Sequence, residues 1–308
     1  MFTEHYSDRT AGAEIVPSPP PSAIATFSKK VMVVLPWQKQ VSPLTAFCVS
    51  KLIDRRRATS ILNFGDAFVV HSRNSCADVF LSSPCDYMLT LDDDMIVPFG
   101  DATWFNAMTK FNLPEPFASL NALDRLMSHG KTLVGALYFG RHPHGPPVYS
   151  EGAAKHEADY SRRGPHNLIK PTKWVGTGCM LIHRSVYEDI EKRFPRLARG
   201  PNKKGGQWFT SSEVSLVDKL DTIKDALSGP LTSEKAYKAL ELVEAAITNA
   251  KYENTLGCGE DVSFCLRALA AGHQPFIDMG LICGHIGHCV YGPRNTDIKP
   301  IESTHSHK

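Results

Sequence analysis

Three consecutive carboxylates, Asp92, Asp93 and Asp94, stand between two largely apolar stretches, LTL and MIV. Because strand residues alternate sides, Asp92 and Asp94 should point one way and Asp93 the other. Two carboxylates on one face can hold a hard divalent cation together with phosphate oxygens, and burying them without a cation would be costly. The alternative is a solvated acidic turn, but such a turn seldom has apolar residues close on both sides. We therefore predict that Asp92 and Asp94 bind a metal ion.

A second acidic pair, Glu260 and Asp261, follows Gly257-Cys258-Gly259 at the start of an amphipathic stretch. Glycines allow the backbone to approach a ligand closely. Two carboxylates after them suit a loop that presents a base to a substrate hydroxyl. Acidic residues also stabilise a helix N-terminus through its dipole, and that reading would suffice for Glu260 alone. We favour the catalytic interpretation for the pair.

Two histidines, His285 and His288, lie in the segment CGHIGHC between Cys283 and Cys289. A neutral imidazole that follows a late strand is a suitable further ligand for the cation of the aspartates. The two cysteines and two histidines are also possible zinc ligands. Their spacing is tighter than that of a zinc knuckle, so we prefer the first interpretation, with His285 slightly ahead of His288.

Alternating strands and helices must position these residues. Buried apolar runs indicate strands at 31–35, 68–70, 86–91, 132–138, 174–182, 275–277 and 281–283, with Pro36 ending the first. Apolar periodicity and capping residues indicate helices at 42–53, 73–82, 101–110, 117–129, 184–193 and 259–271. This alternation predicts an α/β fold with a doubly wound sheet, whose ligands bind at the carboxyl ends of the strands.

Residues 195–256 are predicted to be a helical insertion. Apolar residues recur at helical spacing from Val214 to Leu227, and a second helix begins at Thr232-Ser233. The apolar face of this second helix comprises Ala236, Leu240, Val243 and Ile247. We expect a hairpin that packs on the sheet or over a cleft.

The start of the insertion is basic, because six of the thirteen residues in segment 192–204 are Lys or Arg. Such a cluster can contact the phosphates of a nucleic acid or another anionic acceptor, with Trp208 close by. A solvated charged loop is an equal alternative. Residues 1–28 and 293–308 are expected to be flexible tails that flank a single domain at 29–292.

The composition fits an ordinary globular protein, with 42% hydrophobic residues and a net charge of +2. A charge so near zero gives no whole-molecule attraction to nucleic acid or membrane. No apolar run approaches the ~20 residues that a membrane span needs, and the N-terminus lacks the pattern of a signal peptide. The eight cysteines occur without a CxxC pair, which favours reduced thiols in a core. We therefore expect a cytoplasmic protein without a membrane span.

These elements, in this order, resemble the GT-A glycosyltransferases. The helix with Ser72-Arg73-Asn74, the strand that ends in Asp-X-Asp, and Gly259-Glu260-Asp261 are similar to the family 2-like members. The segment Trp174-Val175-Gly176-Thr177-Gly178-Cys179 resembles their acceptor-side strand, and many members carry a late metal-binding histidine. Leu137-Tyr138-Phe139 before a proline-rich loop resembles members from bacteriophages and bacteria. The resemblance covers roughly residues 30–292 without the helical insertion.

The resemblance implies transfer of a sugar from a nucleoside-diphosphate sugar, such as a UDP-sugar, to a hydroxyl acceptor. Mn²⁺ or Mg²⁺ would be held by the metal-binding residues Asp92, Asp94, His285 and His288. The donor would contact Pro36, Arg73, Asp92, Asp93, Trp174, Gly176 and Gly178. Asp261, with Glu260, would be the general base of an inverting enzyme, or would bind the acceptor in a retaining one.

The acceptor would be a saccharide, a protein, or a modified base in DNA that binds through segment 192–204. Two other functions remain as alternatives. A nucleotidyltransferase that makes the nucleotide-sugar needs a glycine-rich loop after the first strand, whereas Pro36-Trp37-Gln38-Lys39-Gln40 contains no glycine. A zinc-stabilised nucleic-acid-binding protein would use the late cysteines and histidines.

Overall fold

The computed structural model describes residues 29–37, 40–53, 58–65, 69–141, 147–150, 168–195, 206–209, 223–224, 227–230, 232–241, 243 and 259–292. The ten strands are β1 (Val31–Trp37), β2 (Ala58–Gly65), β3 (Tyr87–Leu91), β4 (Met95–Ile96), β5 (Leu133–Leu137), β6 (Ile169–Pro171), β7 (Cys179–His183), β8 (Phe276–Ile282), β9 (Gly284–Ile286) and β10 (Val290–Tyr291). The main helices are α1 (Pro43–Ile53), α2 (Val69–Ser82), α3 (Ala102–Thr109), α4 (Glu115–Ala118), α5 (Ala122–Ser128), α6 (Arg184–Arg193) and α7 (Glu260–Ala270).

Seven strands form one mixed sheet in the order β2-β1-β3-β7-β5-β8-β6. β1 runs parallel to β2 and β3, β5 runs parallel to β8, and β7 is antiparallel to both β3 and β5. The helices α2, α5 and α6 pack against this sheet, and α7 packs on α6. The fold is therefore α/β with a mixed sheet and flanking helices. The predicted class is confirmed at that level.

The topology brings four chain segments to one edge of the sheet. The parallel strands β1 and β3 end at this edge, and β5 ends there too, while the antiparallel β7 begins there. Residues that follow β1, β3 and β5 therefore meet the residues that precede β7. A second, three-stranded sheet of the order β10-β9-β4 continues from the end of β3.

Several predicted boundaries were wrong. The strand predicted at 68–70 is the start of α2, because Val69 and Val70 belong to its first turn, and the strand beside β1 is β2 instead. Pro36 does not end β1, which continues to Trp37. The strand predicted from Trp174 begins at Cys179, with only an isolated bridge between Val175 and Tyr149 before it.

The late strands also differ from the prediction. The segments 275–277 and 281–283 are joined in the single strand β8, whose pairing with β5 shifts register between Ala136 and Leu137. Asp278 and Gly280 lie in the irregular part, where a Gly280 N–H bond to Asp278 Oδ1 of 2.9 Å closes a local turn. Asp278 and Gly280 within an apolar run gave the false appearance of two strands.

Much of the predicted helical insertion lies outside the described residues, as do the predicted tails at 1–28 and 293–308. Residues 233–241 are helical, and Thr232 Oγ1 accepts a hydrogen bond from Lys235 N at 3.3 Å, as expected of a helix start. The predicted apolar face is wrong there. Ala236 and Leu240 are exposed, whereas Ala239 is buried.

The core is continuous from β1 to β8. It contains six of the seven cysteines that the structure describes, and the seventh, Cys289, is buried as well, as predicted for most of them. In the described part of the chain, no helix has the length and apolarity to cross a membrane.

Candidate active site

A cleft of about 500 Å³ opens at the sheet edge where β1, β3 and β5 end. It is lined by Pro36, Val69, Arg73, Asp92, Asp93, Asp94, Tyr138, Arg141, Thr177, Glu260 and Asp261. The cleft thus collects most of the residues that the sequence singled out. The segments that meet there are separated by up to about two hundred residues along the chain.

The three aspartates form a turn directly after β3. Met95 N donates to Asp92 O at 3.3 Å, and Asp92 N donates to Gly178 O at 3.1 Å. Asp93 O accepts hydrogen bonds from Ser42 N and Thr45 Oγ1, which connect the turn to the start of α1. The alternation expected for a strand does not apply, because β3 ends at Leu91 and all three aspartates line the cleft.

Arg73 joins the two acidic segments across the cleft. Its guanidinium, on the buried side of α2, donates to Asp92 Oδ1 at 2.7 Å and also to Glu260 Oε1. Burial would lower the pKa of Arg73, but the charges of Asp92 and Glu260 outweigh burial, so that its pKa is raised and the group stays charged. Arg73 therefore holds Asp92 and links it to Glu260.

Asp94 meets His285 through the pairing of β4 with β9. The register places Met95 opposite His285, and Ile286 N donates to Asp94 O at 2.8 Å. His285 Nε2 then lies 3.4 Å from Asp94 Oδ1, a buried oxygen without a hydrogen-bond partner. The other carboxylate oxygen, Oδ2, accepts from Arg141 at 2.7 Å.

The tautomer of His285 follows from its second hydrogen bond. Its Nδ1 lies 2.7 Å from Phe139 O, and a carbonyl oxygen can only accept, so Nδ1 carries the hydrogen. In the neutral ring the Nε2 lone pair therefore faces the lone pairs of Asp94 Oδ1. Two acceptors at that distance repel unless a proton or a cation lies between them. A carbonyl that fixes the tautomer in this way is typical of a metal-binding histidine.

The other late ligand candidates do not converge on this point. Neither His285 nor His288 lines the cleft, but His285 contacts Asp94 whereas His288 is exposed, and Cys283 is fully buried. Among the residues that the structure describes, no three His, Cys, Asp or Glu side chains are grouped closely enough to hold a metal ion by themselves. The protein thus offers Asp94 and His285 as a pair, with Asp92 nearby and bound to Arg73.

Asp261 has the properties of a base. Burial, together with the neighbouring charge of Glu260, raises its pKa to about 6, although Arg73 and the Val262 N–H oppose the shift. Its Oδ1 accepts from Val262 N at 2.8 Å, at the first turn of α7. A side chain at position 259 would place its Cβ 2.7 Å from this oxygen, so Gly259 is required for the carboxylate to adopt its position.

Tyr138 lies in the wall of the cleft, beside both acidic segments. Its hydroxyl accepts from Gly178 N at 3.1 Å, and its pKa is raised well above the ordinary value by burial and by the charges of Asp92 and Asp261. A Cβ at Gly176 would lie 1.9 Å from the Tyr138 hydroxyl. The two glycines that were predicted to contact the donor thus make room for Tyr138.

Trp174 is half-buried and lies outside the cleft lining, where its carbonyl accepts hydrogen bonds from Ser150 N and Thr172 Oγ1. Sequence reasoning missed four lining residues as site residues: Val69, Tyr138, Arg141 and Thr177. Two of them carried a usable signal, since Tyr138 directly follows β5 and Thr177 lies two residues before β7. The pairing of these strands is what the sequence did not provide.

Most of the basic segment 192–204 lies outside the described residues. Of its six cationic residues, Lys192 and Arg193 are described, both exposed at the end of α6. Lys192 pairs with Asp189 at 2.7 Å. Neither residue lines the cleft.

Comparisons with known proteins give no family. No protein-family model matches the chain, and no curated protein matches it. Among solved structures, the crystal structure of A197 from STIV is similar at 14% identity and a TM-score of 0.44. The match covers 90% of this chain and 100% of that chain. A likeness of this degree supports no functional conclusion.

Proposed function

We propose that this chain is a metal-dependent glycosyltransferase of the GT-A type, which transfers a sugar from a nucleoside-diphosphate sugar to a hydroxyl acceptor. The observation that carries the proposal is one cleft with two acidic arms. One arm is the Asp92–Asp94 turn, and the other is Glu260 and Asp261 at the start of α7. His285 does not line the cleft but lies against Asp94 from β9. The first arm suits a cation with a diphosphate, and the second arm suits a base.

The residues present fit a Mn²⁺ or Mg²⁺ ion that is shared with substrate. Asp94 Oδ1 is buried without a hydrogen-bond partner, and His285 presents Nε2 toward it. Ions of this kind are commonly bound by one or two protein ligands together with phosphate oxygens and water, so a complete protein cage is not required. When bound, the ion would neutralise the charge of the leaving diphosphate.

Asp261 would act on the acceptor. In an inverting reaction its carboxylate takes the proton of the acceptor hydroxyl as that oxygen bonds to the anomeric carbon. The bond from this carbon to the diphosphate breaks, and its electron pair leaves with the nucleoside diphosphate. A pKa of about 6 keeps Asp261 ionised at neutral pH and still basic enough to accept a proton. In a retaining reaction the same group would bind the acceptor.

Arg73 has a supporting role in this scheme. It holds Asp92 and Glu260 in place from behind and lowers the cost of gathering several carboxylates in one cleft. It also favours the ionised form of Asp261 and thereby limits the rise of the Asp261 pKa. The base and the metal-binding turn are therefore coupled through one guanidinium.

The decisive experiment is a screen of nucleotide-sugars for hydrolysis in the presence of Mn²⁺, read by the nucleoside diphosphate released. One donor should be hydrolysed faster than the others, and chelation of the metal should stop the reaction. The matched control is Asp94→Asn, which should lose metal-dependent donor binding in a calorimetric titration while its circular dichroism and melting temperature stay near the wild type. Unchanged affinity in this variant would remove the metal assignment.

The alternative functions receive no specific support. Within the described residues Cys283 is fully buried while His288 is exposed, so these two do not point to one zinc site. The acceptor remains a saccharide, a protein or a modified DNA base. A screen of these three classes with the donor found above would distinguish them.

A further inference from the structure

Arg141 occupies the carboxylate that the proposed cation needs. Its Nη1 donates to Asp94 Oδ2 at 2.7 Å, while Asp94 Oδ1 faces His285. The Arg141 side chain is 60% exposed and the Asp94 side chain 17% exposed, so the pair lies at the mouth of the cleft. Sequence reasoning gave no role to Arg141.

This ion pair is readily broken, and its Arg141 side chain is freer to move than Asp94. Arg141 is the exposed partner of this pair, and an ion pair that water reaches from one side contributes little net stability, because the arginine is well solvated when it separates. Asp94 is fixed by the Ile286 N–H bond to its own carbonyl and by the β4–β9 pairing. Arg141 is therefore the partner that can move, and the Asp94 carboxylate stays where a cation would bind.

A bound diphosphate would call for a cationic side chain in the cleft, and Arg141 is placed to supply it. Arg73 is already bound to Asp92 and Glu260, and it is buried. Arg141 is the other cationic side chain among the described lining residues. A diphosphate brings negative charge that a single divalent ion does not fully neutralise, and a guanidinium binds phosphate oxygens through paired, charge-assisted hydrogen bonds.

We propose that Arg141 is a diphosphate-binding residue that exchanges partners. Without ligand it neutralises Asp94, and when the cation and the nucleoside diphosphate bind together it transfers from Asp94 to the diphosphate. This inference rests on the proposed function and adds to it. A cation that binds alone at Asp94 Oδ1 is opposed by the positive charge of Arg141 on Oδ2. Binding together with the diphosphate relieves this repulsion, because Arg141 then has a new anion. The cation and the nucleotide should therefore bind cooperatively.

The test is a pair of calorimetric titrations on Arg141→Ala, one with Mn²⁺ alone and one with the nucleoside diphosphate at saturating Mn²⁺. The two effects should have opposite signs. Mn²⁺ alone should bind up to about fivefold more tightly, because the competing guanidinium of an exposed pair is gone. The nucleoside diphosphate should bind about tenfold or more weakly, because hydrogen bonds to a charged group are lost.

Two further variants serve as controls. Arg141→Lys keeps the charge but not the paired hydrogen bonds, and it should recover part of the nucleotide affinity. Lys29→Ala removes another exposed ion pair, with Asp86, before the amino ends of β1 and β3, and both affinities should be unchanged.

The outcomes separate this inference from the function on which it rests. Normal nucleotide binding by Arg141→Ala would overturn the exchange while leaving the transferase proposal intact. Weaker nucleotide binding without tighter Mn²⁺ binding would also overturn it, because Arg141 would then not compete for Asp94. A wild-type chain that binds no nucleoside diphosphate with Mn²⁺ would overturn the proposed function itself.

Discussion

At the scale of single residues, the site depends on which side chains meet, and the sequence settled this only in part. The residue types of Asp94, Asp261 and His285 were sufficient to suggest a cation-binding site and a general base. The sequence favoured His285 over His288 only slightly, because both come after a predicted strand and both have glycine neighbours. The distinction comes from the register of β4 and β9, which puts His285 beside Asp94 and leaves His288 exposed.

The two histidines therefore make a matched pair of variants. His285→Ala should weaken Mn²⁺ binding by about 10–100-fold, as is usual when the coordination of a metal is disturbed. His288→Ala should bind Mn²⁺ like the wild type. Titration calorimetry, or the electron paramagnetic resonance of free Mn²⁺, measures both. Equal losses in the two variants would show that the protein binds the ion elsewhere.

Asp261 should be needed for transfer but not for donor binding. In an inverting enzyme Asp261→Asn should reduce kcat by about 10²–10⁴-fold, the usual contribution of a general base. In a retaining one it should mainly raise the KM of the acceptor, and the anomeric configuration of the product by NMR decides which applies. Glu260→Gln is the control for charge alone. If the Asp261→Asn enzyme kept the wild-type rate and the wild-type dependence on acceptor, Glu260 and Asp261 would only stabilise the N-terminus of α7.

The raised pKa of Asp261 also predicts a pH dependence with a definite sign. A carboxyl group with a folded-state pKa of about 6 binds its proton more tightly in the folded than in the unfolded chain. Its contribution to stability is complete below about pH 4, the unfolded value, and is lost as the pH rises through about 6. Asp261→Asn should thus melt at the same or a higher temperature than the wild type at pH 7.5, and the difference should shrink toward pH 4. Transfer by the wild type should decline below about pH 6.

At the scale of elements, most of the long strands and helices were predictable, whereas β2, the short strands and the strand pairing were not. The helix at 184–193 and the strand after Lys30 were found because their apolar patterns are regular and long. β4, β6, β9 and β10 have two or three residues each, too few for any periodicity to be visible. These short strands nevertheless matter for the site, since β4 and β9 bring Asp94 and His285 together.

Gly176 and Gly178, which precede β7, leave room for Tyr138 in the wall of the cleft. Gly176→Ala should lower the free energy of unfolding by about 1–3 kcal/mol, the usual cost of overpacking, because its Cβ would lie 1.9 Å from the Tyr138 hydroxyl. Adding Tyr138→Phe should restore part of this loss. The restoration is incomplete because Val148 Cγ1 would still lie 2.6 Å away. Urea denaturation of the two single variants and the double variant measures the coupling. A Gly176→Ala chain as stable as the wild type would contradict the close approach.

At the scale of the whole molecule, the fold contains a charged cluster outside the cleft lining. No sequence pattern predicted this cluster. Asp278 on β8 is fully buried and accepts hydrogen bonds from Arg125 Nε and from His129 Nε2, each at 2.7 Å. Arg125 lies on α5 and His129 follows it, so the cluster ties this helix to the sheet. In the sequence Asp278 interrupts an apolar run, which suggested a break between two strands. Its partners, about 150 residues earlier, gave no sign of the pairing.

This cluster should set part of the acid stability of the molecule. Burial alone would raise the pKa of Asp278, but the hydrogen bond from His129 and the charge of Arg125 outweigh it, so the pKa lies below its ordinary value. Such a group contributes stability fully above its unfolded pKa of about 3.9 and loses it as the pH falls toward the folded value. Asp278→Asn removes the carboxylate charge that pairs with the buried Arg125 and should cost about 3–5 kcal/mol at pH 7. The gap to the wild type should narrow below about pH 4.

Asp189 provides the matched control, because it too accepts from a cation and a histidine, Lys192 and His273, but its side chain is 36% exposed. Asp189→Asn should change the free energy of unfolding by about 0.5 kcal/mol at most, since surface substitutions rarely do more. Guanidinium denaturation of the three chains at pH 7 and pH 3.5 compares them. If Asp278→Asn were as stable as Asp189→Asn at pH 7, the buried cluster would not stabilise the fold. If the gap instead stayed constant down to pH 3.5, the loss would come from packing rather than from the ionised carboxylate.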